Sequence, residues 1–272
     1  MKEAQASDAV TTPPASPPKP GDSYVQSFAR GLAVIRAFSA QAPKQTLTEV
    51  ARHCGLTRAG ARRILLTLEV LGYVRCEGRL FTLSPRILDL GFAYLSSQPL
   101  WHLAEPLMQD LAAELNESCS AAVLDGTDVV YVMRIPARKI MSINLGVGSR
   151  LPAWCTSLGR VLLADQSEAE LERMLHRLQL VPFTSRTVRS KDELRHRIHA
   201  VRSQGWCLIN QELEEGLASL AAPIIDRHGH TIAALNVGTQ VNRRPPEAMV
   251  SEVLPRLLHT AAAISRLLQL KS

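Results

Sequence analysis

Three arginines crowd barely two helical turns in "LTRAGARRILLTLEV", at Arg58, Arg62 and Arg63. Guanidinium groups at that spacing, on a segment whose Ala61, Ile64, Leu65 and Leu68 keep helical periodicity, suit hydrogen bonding to phosphates or guanine edges. Other reactive side chains lack the company that chemistry needs. Cys155 stands two residues before Ser157, but no GxSxG motif surrounds the serine and no nearby segment pairs a base with an orienting acid. "HRIH" puts His196 and His199 on one helix face, where solvation outweighs metal binding, and "HGH" from His228 to His230 reads as a tight turn. "GVGSRL" lacks the Lys and Ser/Thr of a phosphate-binding loop. Five scattered cysteines without CxxC spacing fit small buried thiols better than disulfides or zinc. These residues predict no catalytic site, no metal and no cofactor.

The chain is 272 residues long, which favours two domains. Apolar residues make up 46% and charged residues 21%, as in ordinary globular proteins. No apolar run reaches the roughly 18 residues of a membrane span, and no secretory signal opens the chain, so a cytoplasmic protein is expected. The net charge of +6 is unevenly placed. Between Arg30 and Arg86 ten basic residues face three acidic ones, leaving the remainder near neutral. A basic domain joined to a near-neutral one suggests a polyanion partner for the first.

The elements that would position these groups follow from local signals. Residues 1–22 are rich in Pro, Ala, Ser and Thr and read as a disordered tail. From Ser27, Phe28, Leu32, Ile35 and Phe38 form one helical stripe. Thr46 and Glu49 make a capping box for a second helix, whose stripe is Leu47, Val50, Ala51 and Cys54 and which stops at Gly55. Thr57 then caps a third helix, striped by Ala61, Ile64, Leu65, Leu68 and Leu71 and ending at Gly72. Helix, short turn and helix make a helix-turn-helix. Arg58, Ala59, Arg62 and Arg63 sit at the end that such a helix offers to a major groove. A hairpin from Tyr73 to Leu83 carries Arg75 and Arg79, placed to touch phosphate or minor groove as a wing. Thr57 and Arg30 are further candidates for backbone phosphate. Ser84 and Pro85 start another helix, apolar over a wide arc, which suits packing against a second copy of itself or against the wing domain.

Beyond it the chain reads as α+β. A helix spans about 101–116, a hairpin turns at Asp125–Gly126, and "IMSINL" is a third strand. Helices follow at about 156–165 and 167–178, then one capped by Ser190 and Glu193 that runs to about 204. Three more strands and a final helix from about 246 to 270 complete one antiparallel sheet covered by helices. "GVGSRLPAWCTSLGR" reads as a loop feeding a helix at Thr156 or Ser157, whose free N–H groups favour a carboxylate ligand. Arg134 and Arg150 could clamp such an acid or lie solvated on the surface. Trp154 could line the pocket or sit in the core. Asn144 completes the candidates in this region.

The stretches "SFARGLAVIRAF", "LTEVARHCGLTRAGARRILLTLEVLGYV", "FTLSPRILDLG", "TSLGRVLLA" and "EEGLASLAAPIIDRHGHTIAALNVG" resemble the IclR family of bacterial transcriptional regulators across about residues 24–270. The resemblance implies a winged helix-turn-helix at 23–83, a linker helix at 84–98, and a GAF/PAS-like effector and oligomerisation domain at 99–272. It also implies a double-stranded DNA operator, a homodimer that can pair into a dimer of dimers, and contact with RNA polymerase in an activator. It places effector contacts at Ser157 and Leu158, at the Asn210–Glu212 stretch including Glu212, at Ser219 and at Asn236. Where the family often has Ala before Gly159, this chain has Leu158, which would narrow the pocket. The stretch from Arg134 to Ala164 is similar to the branch that controls protocatechuate, 4-hydroxybenzoate and β-ketoadipate catabolism, which implies a small aromatic or dicarboxylic acid effector. Other small-carboxylate regulators, an enzyme carried to DNA and an architectural DNA-binding protein are the competing classes.

Overall fold

The computed structural model describes residues 24–97, 100–137 and 145–271. The predicted tail, Asn144 and nearly all of the predicted strand "IMSINL" lie outside them. The chain divides into two compact units, Met1–Tyr94 and Leu95–Ser272. The division falls inside the helix that the sequence sets apart as a linker.

In the first unit, α1 (Gln26–Arg36) buries Val34, and Phe38 follows it into the core. Phe28 and Leu32, expected on the buried stripe, face outward instead, Phe28 at 68% exposure. The stripe is rotated because periodicity locates an apolar face without saying what covers it. Then β1 (Lys44–Thr46) leads into α2 (Leu47–His53). The capping box forms as expected: the Thr46 hydroxyl accepts from Glu49 N, and the Glu49 carboxylate takes Thr46 N at 2.7 Å. Gly55 turns the chain at φ +60°, a left-handed conformation that favours glycine. Helix α3 (Arg58–Val70) is capped by Thr57, which accepts from Gly60 N, and buries Ala61, Leu65 and Leu68. Leu71, expected in that stripe, is 50% exposed because the helix has already ended. The wing strands are β2 (Val74–Glu77) and β3 (Leu80–Leu83). Strand β1, which the sequence reading missed, pairs antiparallel with β3 and gives the order β1-β3-β2. A helical turn at Pro85–Ile87 runs into α4 (Leu88–Ser96).

The second unit opens with α5 (Leu100–Leu115) and the hairpin of β4 (Ser118–Asp125) and β5 (Asp128–Ile135). Its third described strand is β6 (Arg150–Pro152), antiparallel to β5. Helices α6 (Ser157–Ala164), α7 (Glu168–Arg177) and α8 (Lys191–Gln204) follow. Ser190 accepts from Glu193 N, but the Glu193 carboxylate turns to Arg197, so only half of the expected capping box forms. Strands β7 (Cys207–Asn210), β8 (Leu217–Ile225) and β9 (Thr231–Gln240) lead to α9 (Pro246–Ala248), a π turn at Met249–Val253, and α10 (Leu254–Lys271).

The six strands form one antiparallel sheet ordered β6-β5-β4-β9-β8-β7. Strand alternation divides its side chains between two cores. Cys119, Ala121, Leu220, Ala222, Leu235 and Val237 pack against α5 and α10. Ala122, Ala221 and Ala234 pack against α6, α7 and α8.

Candidate DNA interface and effector cleft

The core stripe of α3 leaves its other face free. Thr57, Arg58, Ala59, Arg62 and Arg63 are exposed, as are Arg75 on β2, Arg79 at the wing turn and Arg30 on α1. Among the described residues, none of these guanidinium groups pairs with a carboxylate. Arginines of the second unit contrast: Arg150, Arg160, Arg195, Arg197 and Arg243 all have acidic partners. Unpaired cations on the exposed face of α3 and on its wing form a positive surface that a polyanion can neutralise without breaking internal ion pairs.

The second unit holds a cleft of about 590 Å³, counting its open mouth. Its floor is two neighbouring rungs of the sheet. In one, Arg134 on β5 stands opposite Ser120 on β4, and Ser120 stands opposite Asn236 on β9. In the next, Ser118 faces Gly238, Gly238 faces Ser219 on β8, and Ser219 faces Ile209 on β7. Arg134 Nη1 donates to Ser120 Oγ at 3.2 Å, which aims the cation along the floor. Asn236 keeps its side-chain amide free of hydrogen bonds among the described residues. Tyr131, Leu145, Leu151, Leu213 and Leu217 supply apolar wall. Burial pushes the Tyr131 phenol up to about 12, although nearby Arg134 pulls the other way, so it is neutral.

The start of α6 closes one side. Thr156 lines the cleft and caps the helix, its hydroxyl accepting from Gly159 N at 3.2 Å. Ser157 is fully buried, and its hydroxyl meets that of Ser219 at 2.8 Å. Gly159 is obligatory here: a Cβ would stand 2.1 Å from the Ala153 carbonyl oxygen.

Of the effector candidates, Arg134, Thr156, Ser219 and Asn236 come together on the cleft, with Ser157 one hydrogen bond behind. Four others are elsewhere. Arg150 is held by Asp125 and Asp128 at 2.7 and 3.2 Å, clamping β6 to the β4–β5 turn rather than waiting for an acid. Trp154 is buried against Phe183, their ring centroids 6.0 Å apart. Leu158 is fully buried in the core and does not narrow the cleft. Glu212 turns away from it, bound by Arg160 and Arg197. Sequence reasoning missed Ser118, Ser120, Tyr131 and Gly238. The signal was there, because polar residues or glycine at every second position of "SCS" and "NVG" mark one face of otherwise apolar strands. Cys155 also borders the cleft, but burial raises its thiol well above the ordinary range, so it is no nucleophile.

A winged helix-turn-helix with unpaired arginines, followed by an α+β unit with a polar-floored cleft, defines a ligand-binding transcriptional regulator. Residues 27–78 match the IclR helix-turn-helix domain, and residues 92–266 match the bacterial transcriptional regulator IclR C-terminal domain. The chain belongs to the IclR family, and it is a DNA-binding regulator rather than an enzyme. It is 42% identical to the Pca regulon regulatory protein of Pseudomonas putida, over 94% of this chain and 91% of that one. A crystal structure of a transcriptional regulator from Rhodococcus sp. RHA1 superposes with TM-score 0.82 at 48% identity, covering 90% of this chain and 98% of the other. The inducer-binding domain of a double mutant of PobR from Acinetobacter, in complex with 3-hydroxybenzoic acid, superposes with TM-score 0.57 at 31% identity, covering 61% of this chain and 97% of that domain.

Proposed function

We propose that the chain controls genes of aromatic-acid catabolism, switching its operator occupancy or its contact with RNA polymerase when a small aromatic or dicarboxylic acid enters the cleft. The observation that carries this reading is the floor itself. The Arg134 guanidinium is held by Ser120 beside the unengaged Asn236 amide, with apolar wall around them. A carboxylate finds a cation there, a ring or acyl chain finds leucines, and a hydroxyl or keto group finds the amide. The hydroxybenzoate-bound neighbour supports the same class of effector, and the Pca regulon relative supports the same kind of regulator. Within the DNA-binding unit, Arg58, Arg62 and Arg63 enter the major groove while Arg75 and Arg79 follow the backbone.

The working form is a cytoplasmic homodimer. Phe28 on α1 and Leu88 and Phe92 on α4 are each about two-thirds exposed, which is costly in water and suits a second copy of the unit. Among the described residues no helix is long and apolar enough to cross a membrane.

Thermal shift and calorimetry with protocatechuate, 4-hydroxybenzoate, β-ketoadipate and cis,cis-muconate test the reading. One acid should bind the wild type and lose at least tenfold in affinity with Arg134→Met. If no acid binds, or if the bound acid is indifferent to Arg134 and Asn236, the cleft is not the effector site.

A further inference from the structure

The last turn of α3 carries no basic residue. Its terminal carbonyls and negative dipole end must therefore be answered from elsewhere. Gly72, at φ +82°, donates its N–H to Glu69 O at 2.9 Å, and Tyr73 N donates to Leu68 O at 2.8 Å. The remaining contacts come from beyond the wing. Ser84, 5% exposed, donates its N–H to Tyr73 O at 2.8 Å and its hydroxyl to Gly72 O. The same hydroxyl accepts from Arg86 N at 3.2 Å, capping the helical turn that becomes α4. The Arg86 guanidinium lies 5.6 Å from the centre of the Tyr73 ring, and its Nη1 would be 3.2 Å from a Cβ on Gly72. One hydroxyl holds the Gly72 carbonyl, two residues past the end of α3, and opens the next helix, while one guanidinium lies across the junction.

We infer that Ser84 and Arg86 are positioning residues for DNA recognition, fixing the C-terminal end of the recognition helix to the start of the helix that leaves the DNA-binding unit. The helix is 13 residues long, roughly 20 Å at 1.5 Å per residue. Arg58 and Arg62 lie towards its other end, so a small tilt at Gly72 becomes a larger displacement of the arginines. A rotation of α4 against the wing pulls on the turn that ends α3, because the Ser84 hydroxyl holds the Gly72 carbonyl and caps the helical turn that becomes α4. That an acid drives such a rotation rests on the proposed effector reading, but the positioning role does not.

The test measures affinity, by fluorescence anisotropy on the full chain, for an operator selected from a random duplex pool and for a random duplex of equal length. Ser84→Ala and Arg86→Ala should each lower operator affinity about fivefold, the scale of a lost helix cap, while random-duplex affinity changes less than about twofold, since phosphate contacts remain. Arg86→Lys should recover only part, because an ammonium keeps the charge without the breadth of a guanidinium over the Tyr73 ring. Amide exchange across residues 66–74 should quicken in both alanine variants. Equal losses on both duplexes with a shallower salt slope would make Arg86 an ordinary phosphate contact and overturn the inference. Unchanged operator affinity in both alanine variants would also overturn it. A wild type that binds none of the four acids would sink the effector reading, while the operator-to-random comparison would still decide this one.

Discussion

Arg160 on α6 and Glu212 beyond β7 meet through two parallel hydrogen bonds, 2.9 and 2.5 Å long, with their side chains 3% and 4% exposed. Arg197 adds a third bond to the same carboxylate at 2.9 Å. Glu212 thereby pins the loop from which Leu213 and Leu217 reach the cleft. Removing one partner of a buried pair strands the other charge, a loss of about 3–5 kcal/mol. Glu212→Ala should show that loss in urea denaturation, and the double change Arg160→Met with Glu212→Leu should recover most of it. Equal stability of the single and double variants would contradict the pairing.

The second prediction concerns Gly159. A methyl group there collides with the Ala153 backbone, and backbone cannot swing aside as a side chain can. Gly159→Ala should cost roughly 3 kcal/mol or more and abolish acid binding. A variant that melts like wild type would mean that the 153–159 turn has another low-energy form.

In the cleft, Asn236→Leu and Ser219→Leu should each reduce acid affinity at least tenfold, the scale of a lost polar contact plus a steric block. Effector-free operator binding should stay within about twofold, because the arginine surface belongs to the other unit. Calorimetry on both variants checks the first part, and anisotropy the second.

On DNA, Arg58→Ala or Arg62→Ala should cost about 1–3 kcal/mol if the side chain reads a guanine edge. Arg79→Ala should weaken all duplexes alike and flatten the salt slope by about one unit. Operator affinity unmoved by either change in α3 would refute the placement of the recognition helix.

Alkaline pH supplies a fifth test. Burial pushes the thiols of Cys119 and Cys207, and the phenol of Tyr131, up to about 12 from ordinary values of 9 and 10. The folded state holds the protons more tightly than the unfolded state does. Their contribution is therefore complete below the unfolded values and is lost as pH rises from there towards about 12. The melting temperature of the second unit should be flat between about pH 7 and pH 9 and then fall. Tyr131→Phe should soften the fall above pH 10, and an unchanged profile would show that the phenol is not the group responsible.

What the sequence made legible was mostly local. Thr46, Glu49, Gly55 and Thr57 announce two helix starts and the turn between them, because caps and left-handed turns depend on a few consecutive residues. The wing follows from two short runs around Gly78. Strand β1 was not legible, since Lys44–Thr46 has no alternation of its own and owes its form to pairing with β3. Glu212 shows the same limit at the site. Its position beside the cleft could be read from the resemblance, but not the inward turn of its carboxylate, because Arg160 is 52 residues away. Arg150 and Arg134 look alike in sequence, and only the neighbouring Asp125 and Asp128 separate a clamp within the sheet from a cation facing the cleft.

The strand order also governs when the protein can first respond. The DNA-binding unit is encoded entirely within Met1–Tyr94, so it can fold while the ribosome is still reading the rest, as N-terminal domains do. The cleft floor cannot, because β4 lies between β5 and β9, and Asn236 and Gly238 are among the later residues to emerge. Every nascent copy would therefore pass through an interval in which its arginine surface can be folded while the floor of its cleft is still incomplete. A chain truncated before β9 would keep the arginine surface and lack the strand that carries Asn236 and Gly238.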